Sequence, residues 1–124
     1  MATLNASTYQ ELQGDGSVQL FVFTPLTTTN ADTAPIEWTQ SADRCVQLNG
    51  TWGVGGTVVI EGSNNGTVWI TLNTAQGTAA SFTADALKQI VEVPRYARAR
   101  VTGGDGTTSI TASFVLRRAN TLRT

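Results

Sequence analysis

The stretch from Gly56 to Leu72, GTVVIEGSNNGTVWITL, constrains the fold more than any other part of the chain. Two β-rich runs flank Gly62-Ser63-Asn64-Asn65-Gly66, and Asn65-Gly66 is a strong hairpin signal. Both residues tolerate the positive φ of a tight two-residue turn, and Val58, Ile60, Trp69 and Ile70 supply β-branched and aromatic bulk on either side. Period-two alternation then recurs along the chain. Val18 to Thr24 reads as a strand, with Val18, Leu20 and Val22 on one face and Gln19, Phe21 and Phe23 on the other. The second face is also largely apolar, so the strand is covered on both sides and something packs on Phe21 and Phe23.

Ile36 to Thr39 is a short strand, and Cys45 to Trp52 a longer one with Val46, Leu48 and Trp52 on one face. Ala80 to Thr83 forms another short strand. Arg95 to Thr102 sets Ala97, Ala99 and Val101 against Tyr96, Arg98 and Arg100, and Thr107 to Arg118 carries an inward row of Ile110, Ala112, Phe114 and Leu116. Between these runs the period changes. Thr83 to Glu92 reads as a helix, with Thr83 as N-cap, Asp85 in the first turn, Phe82 stapled onto Leu87, and Pro94 as the stop. The expectation is an all-β chain: a single β-sandwich or jelly roll of about eight strands with one short helix near residues 84–92. Its parts are an N-terminal arm (1–16), the sandwich (17–118) and a basic tail (119–124). The proline-bounded segment 25–35 reads as a contact loop.

A chain of 124 residues suits one domain. There is no histidine, which removes Ser-His-Asp and Cys-His catalysis and the commonest zinc ligand. The nine acids are scattered without the spacing of a carboxylate pair. Cys45 has no partner for an internal disulfide and reads as a half-buried thiol. Gly103-Gly104-Asp105-Gly106 is a hairpin loop rather than a calcium repeat, since it occurs once. No catalytic, cofactor or metal residue is therefore assigned, and a non-enzymatic role is expected. MATLNASTYQELQGDG has neither the basic start nor the apolar run of a signal peptide, and no later stretch is long enough to span a membrane, so synthesis in the cytoplasm is the expectation.

Charge is lopsided. Residues 1–87 carry net −6 and residues 88–124 net +5, which either steers a partner into register or places opposite charges side by side within one fold. Tyr96, Arg98 and Arg100 on one strand face, with Arg117, Arg118 and Arg123 after them, are candidate partner contacts. An isoelectric point near 5.2 and the lack of a second interleaved aromatic favour a protein partner over nucleic acid. Phe21 and Phe23 are the candidate subunit interface of a homo-oligomer. Trp52 falls on an apolar row and reads as core, whereas Trp38 and Trp69 stay open between packing and stacking on a sugar.

Two resemblances rest on these residues. VVIEGSNNGTVWITL at 58–72 followed by PRYARARVT at 94–102 resembles the discoidin-type domain, which implies a jelly roll and, through Trp69, a carbohydrate-binding module. The run from RCVQLNGTW through EGSNNGTVWITL to FTADALKQIVEVPRYARARVTGGDGTTSITASFVLRR, residues 44–118, is similar to small virion proteins of tailed bacteriophages. That likeness implies a capsid decoration, or cement, protein on the virion surface, with the major capsid protein as partner. A tail or baseplate component is the third reading.

Overall fold

Alternation in the last long run decides the architecture, because Ile110, Ala112, Phe114 and Leu116 are all essentially solvent-free while their neighbours are not. The computed structural model describes residues 3–12, 17–37 and 41–118. Twelve strands occur among them: β1 (Thr3–Leu4), β2 (Thr8–Glu11), β3 (Val18–Leu26), β4 (Asp32–Thr33), β5 (Ile36–Glu37), β6 (Ser41–Thr51), β7 (Thr57–Ser63), β8 (Ile70–Thr71), β9 (Ser81–Phe82), β10 (Ala86–Gln89), β11 (Tyr96–Gly103) and β12 (Ser109–Arg118). A five-stranded sheet runs β10-β6-β12-β3-β2. A seven-stranded sheet runs β1-β4-β11-β7-β8, with β5 also on β11 and β9 also on β7. Most long connections pass from one sheet to the other, so successive strands face each other across one core.

Phe23, Val46, Leu48, Ile110, Phe114 and Leu116 from the five-stranded sheet meet Val58, Ile60, Ala97, Ala99 and Val101 from the other in a single buried cluster. Ala97 and Ala99 are small because their strand lies in the middle of its sheet, directly under the large residues of the opposing layer. Phe23 and Phe114 touch edge to face at 5.8 Å between ring centroids, a geometry worth about 1 kcal/mol beyond the area they bury.

Four expectations need correction. About eight strands become twelve, because several runs break into two-residue pieces and residues 3–4 and 8–11 also pair. No helix is present among the described residues. The segment read as helical near 84–92 holds β10, whose Ala86 to Gln89 pair with Leu48 to Cys45. Good helix formers lose here to the open edge of β6, whose backbone groups need partners and which offers them in register.

The 57–73 hairpin exists, but its connection is the loop 64–69 and not a two-residue turn. Only Gly66 adopts a positive φ, of 75°. Ser63 Oγ accepts from the Asn65 and Gly66 amides, and Asn65 Oδ1 accepts from those of Thr67 and Val68, so side chains hold the loop open. The 25–35 segment is not a free loop either. β3 continues to Leu26 past an irregularity in its pairing with β12, and Ala31 and Thr33 are buried.

Candidate functional site

Tyr96, Arg98 and Arg100 do share the outer face of β11, as their alternation requires, but the two arginines are largely engaged within the molecule. β7 lies beside β11 with Arg98 opposite Glu61 and Arg100 opposite Val59. Glu61, only 4% exposed, receives Arg98 Nε at 3.1 Å, Arg100 Nε at 3.0 Å and Arg100 Nη2 at 2.9 Å. Arg98 Nη1 also reaches Asp32 Oδ2 on β4 at 3.5 Å. The guanidinium of Arg98 sits 4.2 Å from the centroid of the Trp69 ring. Burial pushes the Glu61 carboxyl up, yet the hydrogen bonds and charges of Arg100 and Arg98 outweigh this and hold it below its ordinary value. Reciprocally, the hydrogen bond to Glu61 raises Arg100, against the opposing effect of burial.

The chemical consequence is closure. Two cations and two carboxylates neutralise one another in a layer of side chains over the seven-stranded sheet. This accounts for part of the lopsided charge: Arg98 and Arg100 from the basic third of the chain meet Glu61 and Asp32 from the acidic part. Trp69 is half-buried with Arg98 on its ring, which occupies a face that a sugar would need. Tyr96 is half-buried beneath the Arg95 guanidinium, 4.8 Å from its centroid.

The remaining predicted residues fall elsewhere. Phe23 is 1% exposed and belongs to the core, and Phe21 is half-buried and packed on that core. The register explains this: β12 places Ala112 opposite Phe23 and Phe114 opposite Phe21, so the phenylalanine face points inward. Their candidacy as an exposed subunit interface is therefore lost, and the outward face of β3 is that of Val18, Leu20 and Val22. Arg117 and Arg118 end β12 and are exposed. Arg123, Trp38 and the tail 119–124 lie outside the described residues. Trp52, read as core, is half-buried against it and donates its indole N–H to Asp85 Oδ1 at 2.8 Å. Asp85 thereby ties the end of β6 to the start of β10 instead of capping a helix. Cys45 is half-buried, and burial pushes its thiol pKa up.

Two features went unread in the sequence. Arg44 is 3% exposed, inward-facing between two sheets, and donates Nη2 to the carbonyls of Val91 at 2.6 Å and Ile90 at 3.3 Å. Burial lowers its pKa from the ordinary arginine value, against the pull of Asp43 and Glu92. Its phase was the available signal, since Arg44 shares parity with Val46 and Leu48.

The second is an open cleft of about 590 Å³ at the β8 edge, with Gly62, Leu72 and Pro94 in its lining and Val68, Ile70 and Val93 among its walls. Val68, Ile70 and Val93 are 58%, 64% and 53% exposed, so the cleft presents aliphatic surface to solvent. A Cβ at Gly62 would lie 2.5 Å from Pro94 Cγ and 2.7 Å from Leu72 Cδ2, which is why the floor carries glycine. At its rim Glu92 accepts from the Asn73 amide at 2.7 Å and from Asn73 Nδ2 at 2.6 Å. Among the described residues no cluster of three or more metal-ligating side chains occurs, and no helix is long and apolar enough to cross a membrane.

No family model and no curated protein sequence matches the chain. Solved structures do. The crystal structure of YomS, an SPBc2 prophage-derived protein, superposes with a TM-score of 0.56 at 8% identity, covering 80% of this chain and 93% of that one. The two share the fold. Fe(II) HppE gives a TM-score of 0.43 at 14% identity, with 83% of this chain covering 44% of that one. The K1 cleaved adhesin domain of Lys-gingipain from Porphyromonas gingivalis W83 gives 0.42 at 10% identity, covering 91% and 90%.

Proposed function

We propose that this protein is a structural component of a tailed-phage particle, a decoration protein that binds neighbouring major capsid protein subunits and bridges them. The observation that carries the reading is the fold shared with a prophage-derived protein over 80% of this chain and 93% of that one. The similarity of residues 44–118 to small virion proteins points the same way. The strand order supports a jelly-roll winding: β3-β12-β6-β10 in one sheet faces β4-β11-β7-β8 in the other, each sheet interleaving strands distant in sequence.

Such a body suits a cement role. Most hydrogen-bond partners of its strands are far apart in sequence, so the sandwich resists local opening, and aliphatic side chains at the β8 cleft supply surface for a second protein. Modest contacts to two or more capsid subunits then add through multiplicity, because once one is made the next is intramolecular. Arg117, exposed at the end of β12 in the other sheet, adds a cationic contact.

The test is sedimentation of purified protein with undecorated capsids, followed by electron microscopy of intact particles. Saturable co-sedimentation and density on the shell are expected. Density on the tail or baseplate reassigns the protein within the particle, and no binding to any part of it sinks the reading.

A further inference from the structure

The loop between β7 and β8 gathers hydrogen-bond donors around one side-chain amide. Asn65 Oδ1 accepts from the Thr67 amide at 2.8 Å, the Val68 amide at 2.9 Å and the Ser63 hydroxyl at 3.0 Å. Ser63 Oγ in turn accepts from the Gly66 amide at 2.8 Å. Asn65 Cγ and Gly66 N are the two atoms that join when an asparagine side chain cyclises onto the following residue. One hydroxyl therefore serves both ends of that reaction: it accepts from the nitrogen that must lose a proton, and it donates to the oxygen on which charge develops. The two backbone amides complete an oxyanion hole.

We propose that Asn65 is a site of autocatalytic deamidation, with Ser63 as the proton carrier. Gly66 N attacks Asn65 Cγ and forms the N–C bond. Its proton passes to Ser63 Oγ, whose own proton passes to Oδ1 as the carbonyl π electrons move onto that oxygen. The tetrahedral intermediate collapses by breaking the Cγ–Nδ2 bond, and Nδ2 leaves as ammonia with the proton that Oδ1 gives up. A cyclic imide remains. Water, which the exposed loop admits, adds to one of the two imide carbonyls and reopens the ring. In sum, amide and water give carboxylic acid and ammonia.

Glycine at position 66 lets the ring close. It has no side chain to hinder the approach, and it sits at a φ of 75°. A Cβ at Gly66 would lie 3.7 Å from its nearest neighbour, Tyr96 Cε2, so the loop has room to bend. Asn49-Gly50 supplies an internal comparison. There Asn49 pairs with Thr111 in the β6–β12 ladder, and the Gly50 amide donates to Asp85 Oδ1 at 3.2 Å. The same two residues are thus held extended, with the nucleophile engaged by a carboxylate.

The donors also set the product. Water adding at Cγ restores the ordinary backbone and gives aspartate, whereas addition at the main-chain carbonyl gives isoaspartate. Three donors on Oδ1 make Cγ the more electrophilic carbon, so aspartate is favoured. Its carboxylate keeps those donors as stronger, charge-assisted bonds. It also places a negative charge in the lining of the β8 cleft.

The test incubates the full folded chain near neutral pH beside the same chain unfolded in guanidinium chloride. Peptide mass spectrometry localises the added mass and separates aspartate from isoaspartate. Asn65 should convert about tenfold faster folded than unfolded, the lower end of what a positioned proton carrier supplies, less the loosening of about one hydrogen bond as the loop bends. Its share of aspartate should be higher in the folded chain, and Asn49 should convert more slowly folded than unfolded.

Ser63→Ala should remove the excess at Asn65 and leave Asn49 unchanged. The pH profile separates a lost carrier from a loosened loop. With the proton carried internally, the wild-type rate should vary little between about pH 6 and about pH 8, whereas the variant depends on hydroxide and should rise steeply. Conversion at Asn65 that is no faster folded than unfolded, a Ser63→Ala rate equal to wild type, or acceleration shared by Asn49 overturns the inference. The first of these needs no variant, and none bears on capsid binding, which sedimentation reads separately.

Discussion

Replacing Glu61 by glutamine keeps shape and volume but removes the one charge on which two guanidiniums converge. Breaking a buried ion pair from one side costs about 3–5 kcal/mol, because the surviving charge is left desolvated. The full figure does not apply here. Arg98 is 18% exposed and Arg100 39%, while Arg98 keeps Asp32 and the Trp69 ring. Water screens the Arg100 half of the network to about 0–1 kcal/mol. What remains is the Arg98 contact and the unbalanced, nearly inaccessible site of residue 61, so the expected loss is about 2–3 kcal/mol.

For a domain of this size that lowers Tm by about 6–12 °C. Urea unfolding at pH 7 is the assay, with the m-value required to stay constant so that the change is one of stability. Asp32→Asn provides the comparison, since it makes a single 3.5 Å contact and should cost less than half as much. A Glu61→Gln midpoint equivalent to less than about 0.5 kcal/mol would refute the reasoning, showing that the layer is an ordinary solvated surface pair.

Three further outcomes follow from the same geometry. Stability should fall on acidification from about pH 4.5 towards pH 2: Glu61 and Glu92 lie below their ordinary 4.5, and hydrogen bonds from Thr107 and Val54 hold Asp105 down to about 2. Depressed carboxylates contribute above their unfolded pKa and lose that contribution as pH drops through the folded one. A pH series of Tm values that stays flat across this window would contradict it, and Asp105→Asn should remove the lowest part of the slope. Gly62→Ala should destabilise by about 1–3 kcal/mol through its clash with Pro94 and Leu72, read by thermal melting; a neutral result would mean the cleft floor yields. Trp69→Ala should leave a glycan array as blank as the wild type, because Arg98 already stacks on that ring; tight wild-type retention lost in the variant would establish the carbohydrate reading instead.

Strand periodicity by itself determined the all-β character and several individual faces. Ile110, Ala112, Phe114 and Leu116 face the core, as do Ala97, Ala99 and Val101, because a period of two assigns every side chain once one face is apolar. The hairpin around Asn65-Gly66 was legible for the same reason, though its loop was not, since local side-chain hydrogen bonds compete with the ladder.

Tertiary structure decided what periodicity leaves symmetric. β3 is apolar on both sides, and only its register with β12 turned Phe21 and Phe23 inward and Leu20 and Val22 out. Residues 86–89 have helix-forming composition, and only the vacant edge of β6 made them a strand. The arginines of β11 read as an open cationic face until β7 brought Glu61 beneath them from 37 and 39 residues away. Alternation tells which way a side chain points, but what it meets there depends on partners distant in sequence, and those are chosen by the energy of the whole packed layer.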